Sequence, residues 1–525
     1  MKSGRRSNIS GNLIVPPHSS GVRLLTDTLA GPATKPAIVL PESGARITYD
    51  ALRQQVEEMA DALAHAGVRR GDRVAMALPN GLPAIVCFLA AATAGTAAPL
   101  NPAYKEDEFR FYLEDTGAQV LLLPADGAAE ARRAAEGRIR ILTVETTADG
   151  GVRLSDVSGR HAGAAPSPDD DALILHTSGS TGRPKRVPLT HANLTISVEN
   201  IVNTYALTAD DVSLCVMPLF HVHGLVASTL ATLASGGTVV VPAKFSPLSF
   251  WRVARDHGAT WYSAVPTLHQ ILLARIDRGG GRPVGAERLR FIRSCSAALP
   301  PRVMHDLEAA IGVPVLEAYG MTEAAHQMAS NPLPPGERRA GSVGRGTDVK
   351  ISIMDEEGHH LPAGAAGEVV IQGPNVTRGY ENNPEANAAA FTEGWFRTGD
   401  KGVLDARGYL TLIGRLKELI NRGGEKVALQ EIDELLLAHP AVAEAVAFGV
   451  PHETWGEEVA AAVVLRPPNE TAAPPTESDL VTYCRERLAD FKRPKRIYIV
   501  AAIPRTATGK IQRRTVAARY AQTTS

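Results

Sequence analysis

Between Gly44 and Glu323, short apolar runs alternate with segments whose apolar residues recur at helical spacing. DRVAMAL is followed by the helical segment PAIVCFLAAATAG and then by TAAPLN, and the same alternation continues through VSLCVMPLF, GTVVVP, TWYSAVP and LRFIRSCS. This order predicts parallel sheets covered by helices. Many of the runs are apolar at consecutive positions, which is typical of strands inside a parallel sheet. We therefore expect an α/β fold with two helix-covered, mostly parallel sheets.

The chain has 525 residues, which is more than one hydrophobic core can organise. From Gly341 onward, short β segments such as GEVVIQG predict a small, mostly antiparallel β unit over about 341–414. The remaining segment has helical and strand patterns sufficient for an α+β lobe. We expect an N-terminal domain at 1–414, a hinge at 415–417, and a small mobile C-terminal lobe at 418–525.

The charge balance excludes a strongly basic or acidic protein. Fifty-five basic and 56 acidic residues give a formal net charge of −1, so no electrostatic signature of nucleic-acid binding exists. The longest apolar run contains Thr93, Gly95 and Thr96 and is too short for a membrane span. Four widely spaced cysteines without metal-binding spacing favour a reducing, cytoplasmic location. We expect a monomer or homodimer, with no nucleic-acid partner and no membrane span.

TSGSTGRPK, residues 177–185, has the composition of an anion-binding loop. Gly179 and Gly182 allow backbone N–H groups to turn inward. Side-chain donors come from Thr177, Ser178, Ser180, Thr181 and Lys185. ALILH predicts a strand before the loop, and LTHANLTISVENIV predicts a helix after it, capped by Thr190 or Asn193. The spacing differs from the Walker pattern. Taken alone, the stretch is also compatible with a plain surface turn.

Four further stretches follow in a characteristic order. They are YGMTE at 319–323, FRTGD ending in Asp400, GRLK containing Arg415, and PRTATGKIQRR containing Lys510. Together with TSGSTGRPK they resemble the motifs of the ATP-dependent adenylate-forming superfamily, which includes acyl-CoA synthetases, coumarate-type ligases and luciferases. The resemblance extends from about Thr48 to Arg514. It implies that a carboxylate attacks the α-phosphate of ATP, and that the acyl-adenylate then reacts with coenzyme A.

The resemblance also implies roles for individual residues. Tyr319 lies against adenine, Asp400 accepts the ribose hydroxyls, and Arg415 adds a ribose contact. Glu323 holds Mg²⁺, a hard cation that suits a carboxylate. The expected ATP-binding residues are Thr177, Ser178, Gly179, Ser180, Thr181, Gly182, Lys185, Ala297, Tyr319, Gly320, Thr322, Asp400, Arg415 and Lys510, and the expected catalytic residues are Lys510, Glu323, Thr322 and Lys185. For Asp400, a plain turn carboxylate is the alternative.

Members of this superfamily rotate the C-terminal lobe between the two half-reactions. By resemblance, Lys510 bridges the carboxylate and the α-phosphate during adenylation, whereas a solvated lysine is the alternative. Lys417 occupies the hinge position. Asn421, Gly423, Gly424 and Glu425 form the loop along which the pantetheine arm of CoA passes, and the two glycines permit close backbone approach.

By resemblance, MPLFHVHGL, RSCSAAL and the segment after YGMTE form the acid pocket. They contribute His221, His223, Ser294, Ser296 and His326, an unusually polar set. Such donors suit a second substrate carboxylate, which is costly to desolvate without partners. These stretches are similar to those of plant and fungal oxalate-CoA ligases, so we expect oxalate. A structural role for the histidines is the alternative, and HVH lacks a third ligand for zinc.

Three questions stay open at this level. Family members usually carry Gly after the loop lysine, where this chain has Arg186, which is either strained, tolerated or a phosphate contact. A medium-chain or aryl acid is an alternative substrate. A catalytically impaired nucleotide-binding regulator is the alternative outside the enzyme class, although such a protein has no need of Lys510.

Overall fold

The computed structural model describes residues 23–147, 150–155, 157, 159, 163–177, 184–276, 281–422, 425–452, 454–466, 474–506 and 509–521. The large N-terminal part contains two sheets with helices between and around them. Its strands are β1 Pro36–Val39, β2 Arg46–Thr48, β3 Arg73–Met76, β4 Thr96–Pro99, β5 Val120–Pro124, β6 Arg140–Thr146, β7 Val152–Leu154, β8 Asp171–Thr177, β9 Lys185–Thr190, β10 Val212–Leu214, β11 Thr238–Val240, β12 Trp261–Ala264, β13 Phe291–Ser294, β14 Val315–Met321, β15 His326–Ser330 and β16 Arg345–Gly346.

The helices of this part cover both sheets. They are α1 Tyr49–His65, α2 Leu82–Ala94, α3 Glu106–Thr116, α4 Ala129–Ala135, α5 His191–Thr204, a π-helix at His223–Leu230 that continues into α6 Ala231–Ala234, α7 Phe250–His257, α8 Pro266–Leu273 and α9 Pro301–Ile311. α2 is apolar on nearly every side and almost fully buried, as a helix in the interior of a large domain should be. No helix among the described residues is long and apolar enough to cross a membrane.

Both large sheets are mostly parallel. One has seven strands in the order β7-β6-β5-β3-β4-β8-β9, and the other has nine in the order β16-β15-β14-β13-β12-β10-β11-β1-β2. Among the described strands of these two sheets, antiparallel pairs occur only toward the edges, at β6/β7, β8/β9, β1/β2, β14/β15 and β15/β16. These sheets confirm the α/β character predicted from the strand–helix alternation.

One local prediction is wrong. The TSGSTGRPK loop was expected between a strand and a helix, but it connects β8 to an antiparallel strand, β9, with Thr177 opposite Lys185. The segment KRVPLT forms a strand because Val187 and Leu189 alternate toward the core, and its edge position tolerates Pro188. Helix α5 begins only after β9, and the Thr190 hydroxyl caps it by accepting the Asn193 N–H.

The rest of the chain forms two smaller sheets. The first is antiparallel and contains β17 Lys350–Met354, β18 Ala366–Gln372, β19 Phe391–Thr392, β20 Trp395–Leu404 and β21 Leu410–Arg415, with α10 Pro384–Ala390 beside it. The C-terminal lobe contains β22 Ile420–Arg422, β23 Glu425–Val427, α11 Leu429–Ala438, β24 Val442–His452, β25 Gly456–Leu465, α12 Glu477–Arg485, β26 Arg496–Ile499 and α13 Arg513–Ala521. The expected β unit and α+β lobe are both present.

The C-terminal lobe has a core of its own on each side of its sheet. α11 and α12 pack on one face around Ile432, Leu436 and Leu480. On the other face, Phe448 of β24 and Val516 of α13 belong to a separate cluster. A lobe with its own core can move as one body.

Candidate active site

The site lies where β13 and β14 end and the chain turns back into β15. In open parallel sheets, ligands bind beyond the carboxyl ends of the strands. Gly320 is required here, because a Cβ at this position would lie 2.1 Å from the His326 carbonyl oxygen and 3.1 Å from His326 Nδ1. Thr322, 8% exposed, begins a short 3₁₀ turn that also contains Glu323, 6% exposed.

Asp400 joins three elements at one end of the site. The Arg415 guanidinium Nε lies 2.8 Å from its Oδ1, and Asp400 and Arg415 are paired residues of β20 and β21. The Tyr319 hydroxyl of β14 donates to Oδ2. Burial raises the pKa of the Asp400 carboxyl, and Arg415 opposes this. Burial and the neighbouring Asp400 hold the pKa of Tyr319 well above its usual range, so Tyr319 is the donor.

Tyr380 contacts both Glu323 and Lys185. The Tyr380 hydroxyl donates to Glu323 Oε1 at 3.0 Å, and Lys185 Nζ lies 4.3 Å from the centre of the Tyr380 ring. Burial raises the pKa of Glu323. The pKa of Lys185 is lowered, first by burial and then by the charge of Lys417. The sequence analysis did not predict a role for Tyr380, which follows the turn residues TRG and belongs to no recognised motif.

Lys510 of the C-terminal lobe reaches the same region. Its backbone N–H donates to Thr506 Oγ1 at 3.1 Å, and Thr267 of α8 donates to the adjacent Gly509 carbonyl at 3.4 Å. Burial lowers the pKa of Lys510, and the nearby Arg415 lowers it further, whereas Asp400 raises it. The lysine and the Asp400 end of the site are therefore close enough to interact electrostatically.

Some predicted residues lie elsewhere or outside the described part of the chain. Ser178, Gly179, Ser180, Thr181, Gly182, Gly423 and Gly424 are not among the described residues. Thr177 ends β8 beside Lys185, and Ala297 is exposed in the segment after β13. Asn421 and Glu425 are exposed on β22 and β23, where the Asn421 N–H donates to Glu457 of the same lobe.

The predicted acid-pocket residues cluster beside this site. His223 Nδ1 lies 3.0 Å from Ser296 Oγ, and the His223 and His326 rings stack with centroids 5.3 Å apart. His221 Nδ1 accepts the His223 backbone N–H at 3.4 Å. Ser294 Oγ is buried and has no hydrogen-bond partner among the described residues. These polar groups therefore lie close together, and His223, Ser294 and His326 are buried.

The three histidines are neutral at neutral pH. Burial lowers the pKa of His221 to about 3, and the charge of Lys510 contributes. The pKa values of His223 and His326 are held well below the usual range, first by burial and then by Arg293. No group of three or more His, Cys, Asp or Glu within the described ranges could hold a metal ion. Both ring nitrogens of His223 are engaged by serines, which argues against zinc at HVH.

Sequence reasoning missed the buried residues that support these histidines. Arg293 is fully buried and contacts Ser263 Oγ, His326 Nε2 and Gln327 Oε1. The signal was present in LRFIRSCS, where one arginine interrupts an apolar strand. Such a residue requires a polar environment inside the protein.

The backbone of Arg186 is not strained, and its side chain is held by two carboxylates. It belongs to β9 and is not one of the described non-glycine residues with a positive φ. Its Nε lies 3.3 Å from Glu381 and 3.5 Å from Asp115, and it also donates to the Asp115 carbonyl. Arg73 completes the cluster through Glu381 at 2.7 Å. Arg186 is thus part of an ion-pair network beneath the hairpin.

A cavity of about 1070 Å³ opens between the large part of the chain and the C-terminal lobe. Residues of α8 and α9 line one side, and Glu434 and Glu444 line the other. It extends to Gly509, the residue before Lys510. The cavity therefore borders the chain segment that carries Lys510.

Comparisons with known proteins agree over nearly the whole chain. A family model described as AMP-binding enzyme matches residues 25–381, and one described as AMP-binding enzyme C-terminal domain matches residues 431–510. An oxalate–CoA ligase of Arabidopsis thaliana is 47% identical over 516 residues, which cover 94% of this chain and 99% of the relative. An oxalate–CoA ligase of Saccharomyces cerevisiae is 43% identical, covering 93% and 95%. The structure of ATP-bound MatB from Rhodopseudomonas palustris superposes with a TM-score of 0.86 at 32% identity, covering 95% and 99%.

Proposed function

This chain belongs to the AMP-binding enzyme family and is an AMP-forming CoA ligase that uses ATP and CoA, and we propose that its acid substrate is oxalate. The predicted family is thereby confirmed. The observation that carries the choice of acid is the cluster of polar side chains formed by His223, Ser296 and His326. A second carboxylate requires hydrogen-bond donors when it leaves water, and side chains of these types can supply them. The name shared by the two oxalate–CoA ligases supports the same substrate.

In the first half-reaction, one oxalate oxygen attacks the α-phosphorus of ATP, and the bond to the bridging oxygen of pyrophosphate breaks. Negative charge gathers around phosphorus, so fixed cations and donors lower the barrier. We assign this role to Lys185, Thr322 and the 177–182 hydroxyls and N–H groups on the pyrophosphate side. Lys510 serves between the acid and the α-phosphate. Its proximity to Asp400 and Glu323 supports this assignment.

We assign the nucleoside to the Asp400 end of the site. The Asp400 carboxylate accepts from the ribose hydroxyls, Arg415 opposes the rise in its pKa that burial causes, and the Tyr319 ring contacts adenine beside Gly320 and Ala297. The short distance between Arg415 and Asp400 supports this reading. Charge-assisted hydrogen bonds of this kind are stronger than neutral ones.

Glu323 is the residue that fits Mg²⁺. Its carboxylate is buried, and Tyr380 is a neutral donor to it, so a cation would compensate its charge. Phosphate oxygens can complete the octahedron that Mg²⁺ prefers. When bound, the ion would neutralise charge on the leaving pyrophosphate.

In the second half-reaction, the CoA sulfur attacks the carbonyl carbon of the oxalyl-adenylate, the thiol proton passes to solvent, and AMP leaves. We propose that residues 418–525 rotate as a lobe about Lys417 for this step. Asn421, Gly423, Gly424 and Glu425 would then face the thiol path. The separate core of the lobe supports such a motion, and the cavity near Gly509 is a candidate approach for CoA.

The product identifies the activity. Incubation with oxalate, ATP, CoA and Mg²⁺ should yield oxalyl-CoA by mass spectrometry, with one AMP and one pyrophosphate per thioester. Omission of CoA should leave enzyme-bound adenylate and little turnover.

A medium-chain or aryl acid remains the second candidate, but the polar pocket disfavours it, and no finding supports a regulatory protein without turnover. We place the reaction in the cytoplasm, because all four cysteines are buried free thiols.

A further inference from the structure

Arg293 is a fully buried cation without a carboxylate partner among the described residues. Its guanidinium donates to Tyr205, Ser263, His326 and Gln327, which are neutral groups. The Cys295 thiol also lies beside it. Arg290, three residues earlier, instead pairs with Asp211 at 2.6 Å. A buried unpaired charge is expensive, so an anion that binds nearby gains from its presence.

The guanidinium also fixes the proton on His326. An arginine can only donate hydrogen bonds, so His326 Nε2, 3.1 Å from Arg293 Nη2, must accept. The ring proton of neutral His326 therefore resides on Nδ1. Nδ1 lies near Gly320, since a Cβ added to that glycine would be 3.1 Å away, and Gly320 is two residues before the Thr322 turn of the candidate ATP site. His326 thus presents a donor to that site.

The same argument extends to His223 through Ser263. Ser263 Oγ accepts from Arg293 Nη1 at 3.0 Å, so its own proton is available to His223 Nε2 at 2.6 Å. His223 then carries its proton on Nδ1 and donates to Ser296 Oγ at 3.0 Å. The Ser296 hydroxyl proton is consequently left free to donate to a ligand.

Both terminal donors have a strained backbone. Ser296 has φ 73° and His326 has φ 114°, which are unfavourable for residues with a Cβ. Such strain persists only where the surrounding contacts enforce it, and it is concentrated at functional sites.

We infer that Arg293 is a positioning residue that selects a dianionic acid: through His326 on one side, and through Ser263, His223 and Ser296 on the other, it leaves the His326 Nδ1 proton and the Ser296 hydroxyl proton available to the substrate's second carboxylate. This inference rests on the proposed function, because it takes oxalate as the acid. Arg293 supplies the positive charge and sets the direction of the hydrogen bonds that run through Ser263 and His223. His326 and Ser296 contact the substrate carboxylate.

The test compares oxalate with oxamate, which has the same size but carries a neutral amide in place of one carboxylate. We expect Arg293→Met to lower kcat/KM for oxalate about 10²-fold and to bring the oxalate-to-oxamate ratio close to one. Arg293→Lys, which restores the charge, should recover part of that ratio. Arg290→Met is the matched control, since it removes a structural arginine and should leave the ratio unchanged.

If Arg293→Met does not fold, Ser263→Ala is used in its place. This variant removes the hydrogen bond from Ser263 to His223 and keeps the Arg293 guanidinium. Ser263→Ala should lower the oxalate-to-oxamate ratio by reducing kcat/KM for oxalate, with kcat/KM for oxamate unchanged. A wild-type enzyme that does not adenylate oxalate contradicts the proposed substrate and, with it, this inference. A wild-type enzyme that prefers oxalate, combined with an unchanged ratio in Arg293→Met or Ser263→Ala, contradicts the role of Arg293 only.

Discussion

The Arg415 guanidinium lies 2.8 Å from the Asp400 carboxylate, and the two residues are directly paired in β20 and β21. This pairing joins the last residue of β21 to the antiparallel sheet of the large part. Any rotation of the C-terminal lobe must therefore begin after Arg415. The short 3₁₀ turn Leu416–Glu418 is the next segment along the chain and is largely exposed.

Proline at position 417 should separate the two half-reactions. Because proline fixes φ and lacks an N–H, Lys417→Pro should slow thioester formation by a larger factor than adenylation. Pyrophosphate release and transfer from supplied acyl-adenylate to CoA measure the two steps. Lys417→Ala is the control, since it removes the charge near Lys185 and keeps the backbone free. Equal losses in both steps would speak against rotation about this residue.

Lys510→Ala should abolish adenylation and largely spare the thioester step. The fixed cation at the reacting phosphate is lost, and removal of one such group typically reduces rates roughly 10²–10³-fold. The exposed Lys350 of β17 provides a control, because Lys350→Ala removes a lysine whose side chain contacts Gln372 of the neighbouring strand β18. Normal rates in both half-reactions of Lys510→Ala would refute the assignment.

Arg186→Met should lower stability and leave the adenylation rate nearly unchanged. Its loss leaves Asp115 and Glu381 with fewer partners, and hydrogen bonds to charged groups are worth about 1.5–3 kcal/mol. The free energy of unfolding in urea measures this effect. Arg110→Met, at a more exposed helix ion pair, should change it by no more than about 0.5 kcal/mol. A tenfold fall in adenylation at unchanged stability would show instead that Arg186 serves the phosphates.

Glu317 makes stability dependent on pH. Burial raises its pKa to about 8, and its Oε1 accepts the Leu299 N–H at 2.8 Å. Between the ordinary value of 4.5 and about 8, only the unfolded chain releases this proton, so the free energy of unfolding falls as pH rises. Glu317→Gln cannot ionise, so its stability relative to wild type should increase from pH 5 to pH 8. A constant difference, as expected for exposed Glu356→Gln, would contradict a protonated Glu317.

Features that depend on local periodicity or on the order of motifs could be predicted from the sequence. The alternating apolar runs predicted the two large sheets, and PAIVCFLAAATAG was correctly predicted to be helical. Asp400, Arg415 and Lys510 were selected by motif, and the structure brings them near one another. Their individual roles stay predictions.

Features that depend on tertiary contacts could not be predicted. β9 was missed because KRVPLT is short and contains proline, and its pairing with β8 provides the stabilisation that propensity lacks. Arg293 was overlooked because its partners Tyr205, Ser263 and His326 come from distant segments of the sequence. α13 has few apolar residues, and Val516 becomes buried only against β24.

The substrate claim is tested most directly by kcat/KM for thioester formation with oxalate, malonate, octanoate and coumarate under identical ATP and CoA concentrations. A site that offers donors to a second carboxylate strongly rejects acids that lack it, so oxalate should exceed octanoate and coumarate by roughly 10²-fold or more. Malonate should lie between these limits, since its second carboxylate is displaced by one carbon. A higher kcat/KM for octanoate or coumarate than for oxalate would contradict the assignment of this enzyme as an oxalate–CoA ligase.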